Sequence, residues 1–289
     1  MKRCAFLTLA DPTGYVMDDA LAYEPLRQLG WQVEAVPWQQ RDIPWSRFDV
    51  VVIRSPWDYY YALDAFLAAL AEIERSGIPL LNRLDLVRWN LEKTYLRDLA
   101  ARGVAIVPTV WRDRLAPGEL IPLLDEVGSE EMVVKPVVGA NAAGAFRLDR
   151  RTVAERAAEV EATYADRALM AQPLAHAVLT EGEHSLFYFN GEHSHAVLKT
   201  PKAADFRVQE EHGGEIRAVR AGEELLAAGR AVLDALDEVP LYARVDLVRS
   251  NQDGSCWLME LELVEPSLYL RMDPEAPARF ARALHQRLS

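Results

Sequence analysis

Cysteine is scarce in this sequence. The 289 residues include two cysteines, Cys4 and Cys256, each inside an apolar segment and near opposite ends of the chain. A buried free thiol is the favoured interpretation of both, over a disulfide or a catalytic role, because free cysteine packs as a small hydrophobic residue.

Long apolar runs are also absent. No stretch approaches the length of a transmembrane helix. The apolar run within residues 1–10 is too short for a signal peptide and predicts a first strand instead. We therefore expect a cytoplasmic protein without a membrane partner.

Positive charge is in deficit. The sequence has 32 Lys and Arg against 44 Asp and Glu, which gives a formal net charge of −12. This balance argues against a general nucleic-acid binder, whose surface is basic, but is compatible with a local basic patch for a nucleotide. Half of the residues are hydrophobic and 26% are charged, without repeats or low-complexity tracts. Such a composition is typical of a globular protein with one large domain or a few smaller units.

Strands and helices alternate in the first part of the chain. The pattern predicts strands at 4–9, 32–36 and 50–53, with helices at 18–29 and 62–75. This alternation indicates a parallel sheet covered on both faces, whose ligands gather at the carboxyl ends of the strands. No glycine-rich phosphate-binding motif follows the first strand, so this part is not expected to bind a dinucleotide.

Polar and aromatic residues follow the first and third of these strands. They carry both charges, which suits a pocket for a zwitterionic substrate at the edge of the sheet. The alternative is that the aromatic side chains pack a loop and that Asp18 caps a helix. The candidate substrate residues are Asp18, Asp19, Arg54, Ser55, Trp57 and Asp58.

Two lysines mark the middle of the chain. Residues 83–102 are helical in character, with a break expected at Asn90 and Lys93 near the start of the second helix. Lys135 ends an apolar strand and precedes a loop of small residues, 137–145. Such a loop lets backbone N–H groups approach an anion closely, so lysine and loop together indicate a phosphate-binding site.

The rest of the chain has antiparallel character. Asn190-Gly191 predicts a hairpin between strands at 183–189 and 193–199. A polar loop at 205–214 precedes a helix at 222–236, and a final helix ends at residue 288.

Three carboxylates lie on two neighbouring strands near the end of the sequence. Residues alternate between apolar and polar around Asp246 and around Glu260 and Glu262, and Asp253-Gly254 between them predicts a hairpin. The three carboxylates then converge on one face, where they repel one another unless protonated or neutralised by a cation. Oxygen ligands of this kind suit Mg²⁺, which is held by one or two carboxylates plus substrate phosphates. The alternative is a solvated strand face with both glutamates in water.

The order of these features resembles the ATP-grasp superfamily, in its glutathione-synthetase-like branch, over essentially the whole chain. Three segments are similar, more narrowly, to the D-cycloserine-forming ligases: Arg54-Ser-Pro-Trp-Asp-Tyr, Asp205-Phe-Arg-Val-Gln and Leu261-Glu-Leu-Val-Glu-Pro. The features that carry the broader resemblance are Lys93, Lys135, the loop 139–144, Gln172-Pro173-Leu174, Lys199, Asp205-Phe206-Arg207, Gly213-Gly214, Arg244, Asp246, Glu260 and Glu262.

The resemblance implies a fold and a division of the chain. The fold is α/β, with α+β character in the C-terminal part, and an N-terminal Rossmann-like domain precedes the ATP-grasp domains. We expect a substrate domain at 1–90, a lid domain with the phosphate-binding lysines at 91–174 and an antiparallel domain with the magnesium site at 175–289. As in relatives, a homodimer or homotetramer is expected.

The resemblance also implies roles for individual residues. Magnesium would be held by Asp246, Glu260 and Glu262, whereas Arg207, Arg244 and Lys199 would act in catalysis. A surface salt bridge with a neighbouring glutamate is the alternative for either arginine, and His212 either touches substrate or has no role. Either Glu181 or Glu183 would bind the ribose of ATP. The other ATP-binding candidates are Lys93, Lys135, Gly139, Ala140, Asn141, Gly144, Gln172, Pro173 and Leu174.

Two departures from the family are visible. Glu262 stands where the family commonly has asparagine, and the loop 139–144 is poor in glycine. The implied activity is an ATP- and Mg²⁺-dependent carboxylate–amine ligase that acts through an acylphosphate on small molecules. The reacting groups would belong to two molecules or, as in the cycloserine ligases, to one. A module that binds ATP without turnover and a small-molecule kinase are the alternatives.

Overall fold

The computed structural model describes residues 1–139, 143–202, 205–210 and 213–289. These residues form three β-sheets with helices packed against them, which confirms the mixed α/β class. The candidate residues Ala140, Asn141 and His212 lie outside the described residues.

The first sheet is parallel and has the strand order β2-β1-β3-β4. Its central strands, β1 and β3, are buried along most of their length because they are apolar on both faces. The strands are β1 (Lys2–Thr8), β2 (Trp31–Pro37), β3 (Val50–Ser55) and β4 (Leu80–Leu81). The predicted helix at 18–29 begins instead as a short 3₁₀ turn, Asp19–Ala22. It continues as α1 (Tyr23–Gln28), and the next helix along the chain is α2 (Leu63–Arg75).

Two helices follow, α3 (Leu84–Leu91) and α4 (Tyr95–Ala101). The break between them lies at residues 92–94, so the predicted break at Asn90 is wrong. The Asn90 amide is buried within α3, where it donates to the Leu261 carbonyl (2.9 Å) and accepts from the Leu263 N–H (2.8 Å). Because these tertiary bonds hold Asn90 inside the helix, the chain turns at the lysine instead.

The second sheet is antiparallel and has the order β5-β8-β6-β7. One face packs against the two helices of this part, around Met132, Val134 and Leu169. The sequence pattern missed β5 and β7 because strands this short carry little alternation. The elements are β5 (Val110–Arg112), α5 (Leu120–Val127), β6 (Glu131–Pro136), β7 (Phe146–Asp149), α6 (Val153–Thr163) and β8 (Leu169–Pro173).

The third sheet is antiparallel and has the order β11-β10-β9-β12-β13. Both predicted hairpins are confirmed, since β9 pairs with β10 and β12 pairs with β13. The elements are α7 (Ala177–Thr180), β9 (Glu183–Phe189), β10 (Glu192–Thr200), β11 (Glu215–Val219), α8 (Glu223–Asp234), β12 (Tyr242–Arg249), β13 (Cys256–Glu262) and α9 (Ala276–Arg287).

The first and third sheets share one apolar core. Phe6 of β1, Phe189 of β9 and Phe280 of α9 belong to a single buried cluster. Cys4 and Cys256 are both buried and free, as predicted. None of the helices in the described part of the chain combines the length and apolar character that a membrane span requires.

His195 of β10 makes the stability of this core dependent on pH. The ring stacks on Phe187 with 4.3 Å between ring centroids, and Nε2 lies 3.0 Å from the Leu268 carbonyl oxygen. Burial lowers the pKa of His195 to about 4. The unfolded chain, with a histidine pKa of about 6.5, binds the proton first as the pH falls. The stabilisation that neutral His195 provides is therefore complete above about pH 6.5 and is lost as the pH falls towards 4.

We expect the free energy of unfolding to fall by about 2 kcal/mol through His195 between about pH 7 and about pH 5. Urea denaturation of wild type and His195→Gln at both pH values measures this contribution. Glutamine keeps an amide donor for Leu268 and cannot be protonated in this range. The variant should therefore lose less stability than wild type on acidification, and equal losses would contradict the assignment.

Candidate active site

A large cavity is lined by strands of the second and third sheets, by loops that follow the strands of the first sheet and by the end of α3. Most predicted site residues are on its wall, namely Trp57, Lys93, Lys135, Gly139, Gln172, Pro173, Leu174, Glu183, Lys199, Arg207, Arg244, Asp246, Glu260 and Glu262. Those of the described residues that are not on the wall are Asp18, Asp19, Arg54, Ser55, Asp58, Gly144 and Glu181.

The carboxylates of β12 and β13 face one another across the strand pair. Asp246 is opposite Glu260 and Arg244 is opposite Glu262, with a register shift just after Asp246. The alternation of the two strands thus brings the three carboxylates to one wall, as the sequence predicted.

The protein's own cations neutralise these carboxylates. Lys93 Nζ lies 2.5 Å from Glu260, and Arg244 pairs with Glu262 and, at 2.9 Å, with Asp246. Lys199 Nζ completes the network at 3.3 Å from Asp246 and 3.1 Å from Glu183. The three carboxylates are therefore all paired, with Asp246 buried and the two glutamates partly exposed to the cavity.

Their environments separate the carboxylate pKa values. Burial favours the neutral acid, but Arg244 and Lys199 hold the pKa of Asp246 at about 2. Burial raises the pKa of Glu262 to about 8 in spite of Arg244, with Glu260 and Asp246 adding to the rise. The wall thus combines a carboxylate whose pKa is lowered with one whose pKa is raised, although both pair with Arg244.

Lys135 is the exception among the cavity lysines. Within the described residues its ammonium has neither an ion pair nor a hydrogen bond, whereas Lys93 and Lys199 have both. Burial lowers the pKa of Lys135, and nearby Lys93 adds to this effect. A partly buried cation without a partner is unfavourable until an anion reaches it, so this side of the cavity suits phosphate groups.

The small-residue loop begins beside these lysines. Lys93 Nζ donates to the Gly139 carbonyl (3.2 Å), and a Cβ atom at Gly139 would lie 3.0 Å from Pro136. At the other end of the loop, Tyr164 donates to the Gly144 carbonyl at 2.5 Å. Gly144 has φ of +76° and does not reach the cavity wall, although Ala143 and Ala145 do.

One end of the cavity is apolar. Gln172 and Leu174 lie here, but the Leu174 N–H donates to the Glu131 carbonyl (3.0 Å) and its carbonyl accepts from Asn251 (2.7 Å). The prediction that Leu174 offers its main chain to a nucleotide base is therefore corrected, because the sheet and Asn251 already use those groups. The apolar residues on this wall include Val107, Val133, Ala175, Val178, Val208 and Met259.

The structure separates the two candidates for the ribose. Glu183 is on the cavity wall, where burial raises its pKa. Glu181 lies outside it, about half exposed and 4.0 Å from Arg249.

Arg207 and Arg244, the two catalytic candidates, are both ion-paired. Arg207 reaches the cavity from the loop at 205–210 and pairs with Asp205 at 2.7 Å. Arg244 is buried between Asp246 and Glu262. The alternative of a surface salt bridge with a glutamate describes neither arginine, because Arg207 pairs with an aspartate and Arg244 is buried.

Most of the predicted substrate residues are not placed to touch a molecule in the cavity. Arg54 is 1% exposed and pairs with Asp19 at 3.0 Å, and Ser55 donates to the same carboxylate. Asp58 accepts from Trp38 and Gln39, and Asp18 pairs with Arg271. The expectation of direct contact is corrected for these five, because buried polar groups have satisfied one another. Only Trp57 of the set is on the wall.

Several wall residues were missed by the sequence analysis. Glu265 lies in the segment Leu261–Pro266, which carries the family resemblance. It follows the end of β13, where alternation no longer assigns a side chain to one face of the sheet. The missed polar and aromatic residues include Phe206, Glu210, Glu265, Ser267 and Tyr269.

The carboxylates fit a magnesium ion only together with phosphates. Among the described residues, no three His, Cys, Asp or Glu side chains form a metal-binding group by themselves. Mg²⁺ bound with a nucleotide needs only one or two carboxylates, and Asp246 and Glu260 supply an opposed pair. Phosphates that attract Lys93 would release Glu260 from its ion pair. The donor chemistry therefore fits.

Comparisons with known proteins identify relatives of this chain. The family model of the N-terminal domain of D-cycloserine synthetase DcsG matches residues 4–82. Over its length the chain is similar to the cycloserine biosynthesis protein DcsG of Streptomyces lavendulae, with 35% identity over 96% of this chain and 95% of the relative.

Solved structures extend the comparison. The crystal structure of D-cycloserine synthetase DcsG is similar, with a TM-score of 0.85, 34% identity and coverage of 99% of this chain and 100% of that chain. The ATP-grasp ligase PsnB, solved with a precursor variant, Mg and ADP, has a TM-score of 0.66 and 16% identity over 99% of this chain and 98% of its own. This second likeness shows a shared ATP-grasp fold.

Proposed function

The chain belongs to the family of the cycloserine biosynthesis protein DcsG within the ATP-grasp ligases, and we propose on this premise that it closes a ring within one small amino-acid-like molecule. It is an ATP-dependent carboxylate–amine ligase that forms ADP. The observation that carries the site assignment is the unpartnered Lys135 beside the opposed carboxylates Asp246 and Glu260.

The reaction has two steps. The substrate carboxylate attacks the γ-phosphate of ATP, which leaves ADP and an acylphosphate. A nitrogen of the same molecule then attacks the acyl carbon, so that a C–N bond forms, the C–O bond to phosphate breaks and phosphate leaves. Little covalent work falls to the protein, so positioning and charge neutralisation dominate catalysis.

The cations of the cavity have distinct parts in this scheme. Lys135 and Lys93 would bind the ATP phosphates, and the backbone at Gly139 would approach them closely. Arg207 and Arg244 suit the phosphoryl oxygens because a guanidinium offers a fixed fork of donors. Lys199 holds Asp246 and Glu183 in place. When bound, Mg²⁺ would be held by Asp246, Glu260 and Glu262 and would neutralise charge on the phosphates.

The apolar end of the cavity suits the adenine ring. Val133, Val178 and Met259 offer apolar contacts there. Glu183 rather than Glu181 is our candidate for the ribose hydroxyls, because Glu183 lines the cavity and Glu181 does not. The opposite end, near Trp57, is then left for the organic substrate.

The number of organic substrates distinguishes ring closure from the joining of two molecules. We expect O-ureido-D-serine alone to support release of ADP and phosphate in the presence of Mg²⁺, with one product molecule for each ADP. If turnover required a second molecule that supplies the amine, the reaction would be the joining of two molecules and not ring closure. A stable phosphorylated product without free phosphate would point to a kinase, and ATP binding without turnover to a binding module.

Two further expectations concern the cellular location and the oligomeric state of the protein. We propose that it acts in the cytoplasm on small molecules, where ATP is available, and not on nucleic acid. A homodimer or homotetramer is proposed by analogy with relatives, and light scattering after size-exclusion chromatography measures the oligomeric state.

A further inference from the structure

The segment 263–268, which follows β13, is held through its main-chain carbonyls. Five of its six carbonyl oxygens accept a hydrogen bond from a side chain. The donor–acceptor pairs are Asn82 to Leu263 (2.7 Å), Tyr242 to Val264 (2.8 Å), Trp57 to Glu265 (2.8 Å), Arg54 to Pro266 (3.1 Å) and His195 to Leu268 (3.0 Å).

These donors come from different elements. Arg54 belongs to β3, His195 to β10 and Tyr242 to β12. Because the segment is fixed from several sides, the side chains that it directs into the cavity are fixed as well. Glu265 and Ser267 are the polar residues of the segment that line the cavity.

Glu265 differs from the other acidic residues of the cavity wall. Five of the six wall carboxylates pair with a lysine or arginine: Glu183 and Asp246 with Lys199, Glu260 with Lys93, Glu262 with Arg244, and Glu210 with Arg271. Within the described residues, Glu265 alone of the six has no ion pair. The Tyr59 hydroxyl is its hydrogen-bond partner, and burial raises the pKa of Glu265 to about 7 although Tyr59 and the more distant Lys93 act against the rise.

We propose, resting on the proposed ligase function, that Glu265 binds the substrate nitrogen that attacks the acylphosphate. A carboxylate without a cationic partner is complementary to N–H groups of a ligand, and its second oxygen is available beside the Tyr59 bond. Trp57 and Arg54 are then positioning residues that act through the carbonyls of 265 and 266. The substrate class is a molecule whose carboxylate reaches the phosphate side and whose nitrogen donor reaches Glu265.

A metal ion is the competing ligand for this carboxylate. The opposed pair Asp246 and Glu260 lies within the strands, whereas Glu265 lies beyond β13 against Trp57 and Tyr59 of the first sheet's loop. The geometry therefore favours the organic substrate. The Mg²⁺ requirement of a Glu265 variant distinguishes a metal ligand from a substrate ligand.

Glu265→Gln tests the assignment with O-ureido-D-serine as the substrate probe. Glutamine keeps the shape but loses the charge and one acceptor, so KM for the probe should rise roughly 10- to 100-fold. The KM for ATP and the Mg²⁺ concentration for half-maximal rate should stay at their wild-type values. Trp57→Phe, which removes the indole donor and keeps an aromatic ring, should raise the same KM by a smaller factor.

A competitor without the attacking nitrogen sharpens the test. O-methyl-D-serine lacks the ureido group, so its inhibition constant should change by less than about twofold in Glu265→Gln. Equal weakening of both molecules would mean that Glu265 binds the α-amino group, which overturns the assignment. A higher Mg²⁺ requirement with an unchanged KM for the probe would make Glu265 a metal ligand. This result would also overturn the assignment.

Two controls separate this proposal from the function on which it rests. Glu192→Gln, an exposed carboxylate at the start of β10, should keep wild-type constants. Hydroxylamine added to wild type, ATP and the probe should give a hydroxamate from the acylphosphate. No hydroxamate and no ADP from wild type would remove the ligase function and this assignment with it. Hydroxamate from wild type with unchanged kinetics in Glu265→Gln would remove only the assignment.

Discussion

Lys135→Ala should lower kcat/KM for ATP by roughly 10²- to 10³-fold while the melting temperature stays the same or rises. The ammonium has no partner within the described residues, so its removal breaks no ion pair, and burial of the charge is no longer required. Only the nucleotide phosphates lose a cation. ADP release at varied ATP concentration and a thermal melt measure the two effects.

Two other lysine variants are the comparisons for Lys135→Ala. Lys2→Ala, which removes an ammonium bonded to the Leu288 carbonyl far from the cavity, should keep wild-type turnover. Lys199→Ala should instead destabilise the fold by about 3–5 kcal/mol, because it leaves Glu183 and Asp246 short of a buried partner. Wild-type turnover by Lys135→Ala would refute the phosphate-binding role.

Asp246→Asn should abolish turnover more completely, with a fall in kcat of roughly 10³-fold or more. With its pKa held at about 2, Asp246 stays ionised and is available as a charged metal ligand. Asparagine keeps the shape and one acceptor for Ser185 and Arg244 but loses the charge. We expect a folded protein by circular dichroism and no recovery of activity at high Mg²⁺.

Glu262→Asn provides the matched comparison. The wider family commonly has asparagine at this position, and the raised pKa of Glu262 shows that its environment disfavours the charge. We therefore expect this variant to lose less than about tenfold in kcat. A loss as large as that of Asp246→Asn would mean that all three carboxylates act as charged ligands. An active Asp246→Asn protein would refute the magnesium site.

The sequence was most informative where strand alternation and hairpin signals agree. Asp253-Gly254 fixed the pairing of β12 with β13, and alternation then placed Asp246 opposite Glu260. Period-two alternation requires no knowledge of the rest of the fold. Local signals of this kind also identified the hairpin at Asn190-Gly191.

The sequence was least informative where long-range contacts decide what a side chain does. Arg54 lies near the carboxyl end of a buried strand, in the position expected of a substrate residue. Its guanidinium instead donates to Asp19 and to the Pro266 carbonyl. Asn90 resembled a helix break, but two bonds to the end of β13 keep it helical. These partners lie far away in sequence, so no local pattern could show them.

The central claim is that an acylphosphate forms on the substrate carboxylate, and isotope transfer tests it most directly. O-ureido-D-serine labelled with ¹⁸O in both carboxylate oxygens would be turned over with unlabelled ATP and Mg²⁺, and the released phosphate analysed by mass spectrometry. The ligase mechanism predicts one ¹⁸O atom in each phosphate, because the carboxylate oxygen that attacks phosphorus leaves with it. Unlabelled phosphate would mean that water attacks ATP, and it would contradict the mechanism.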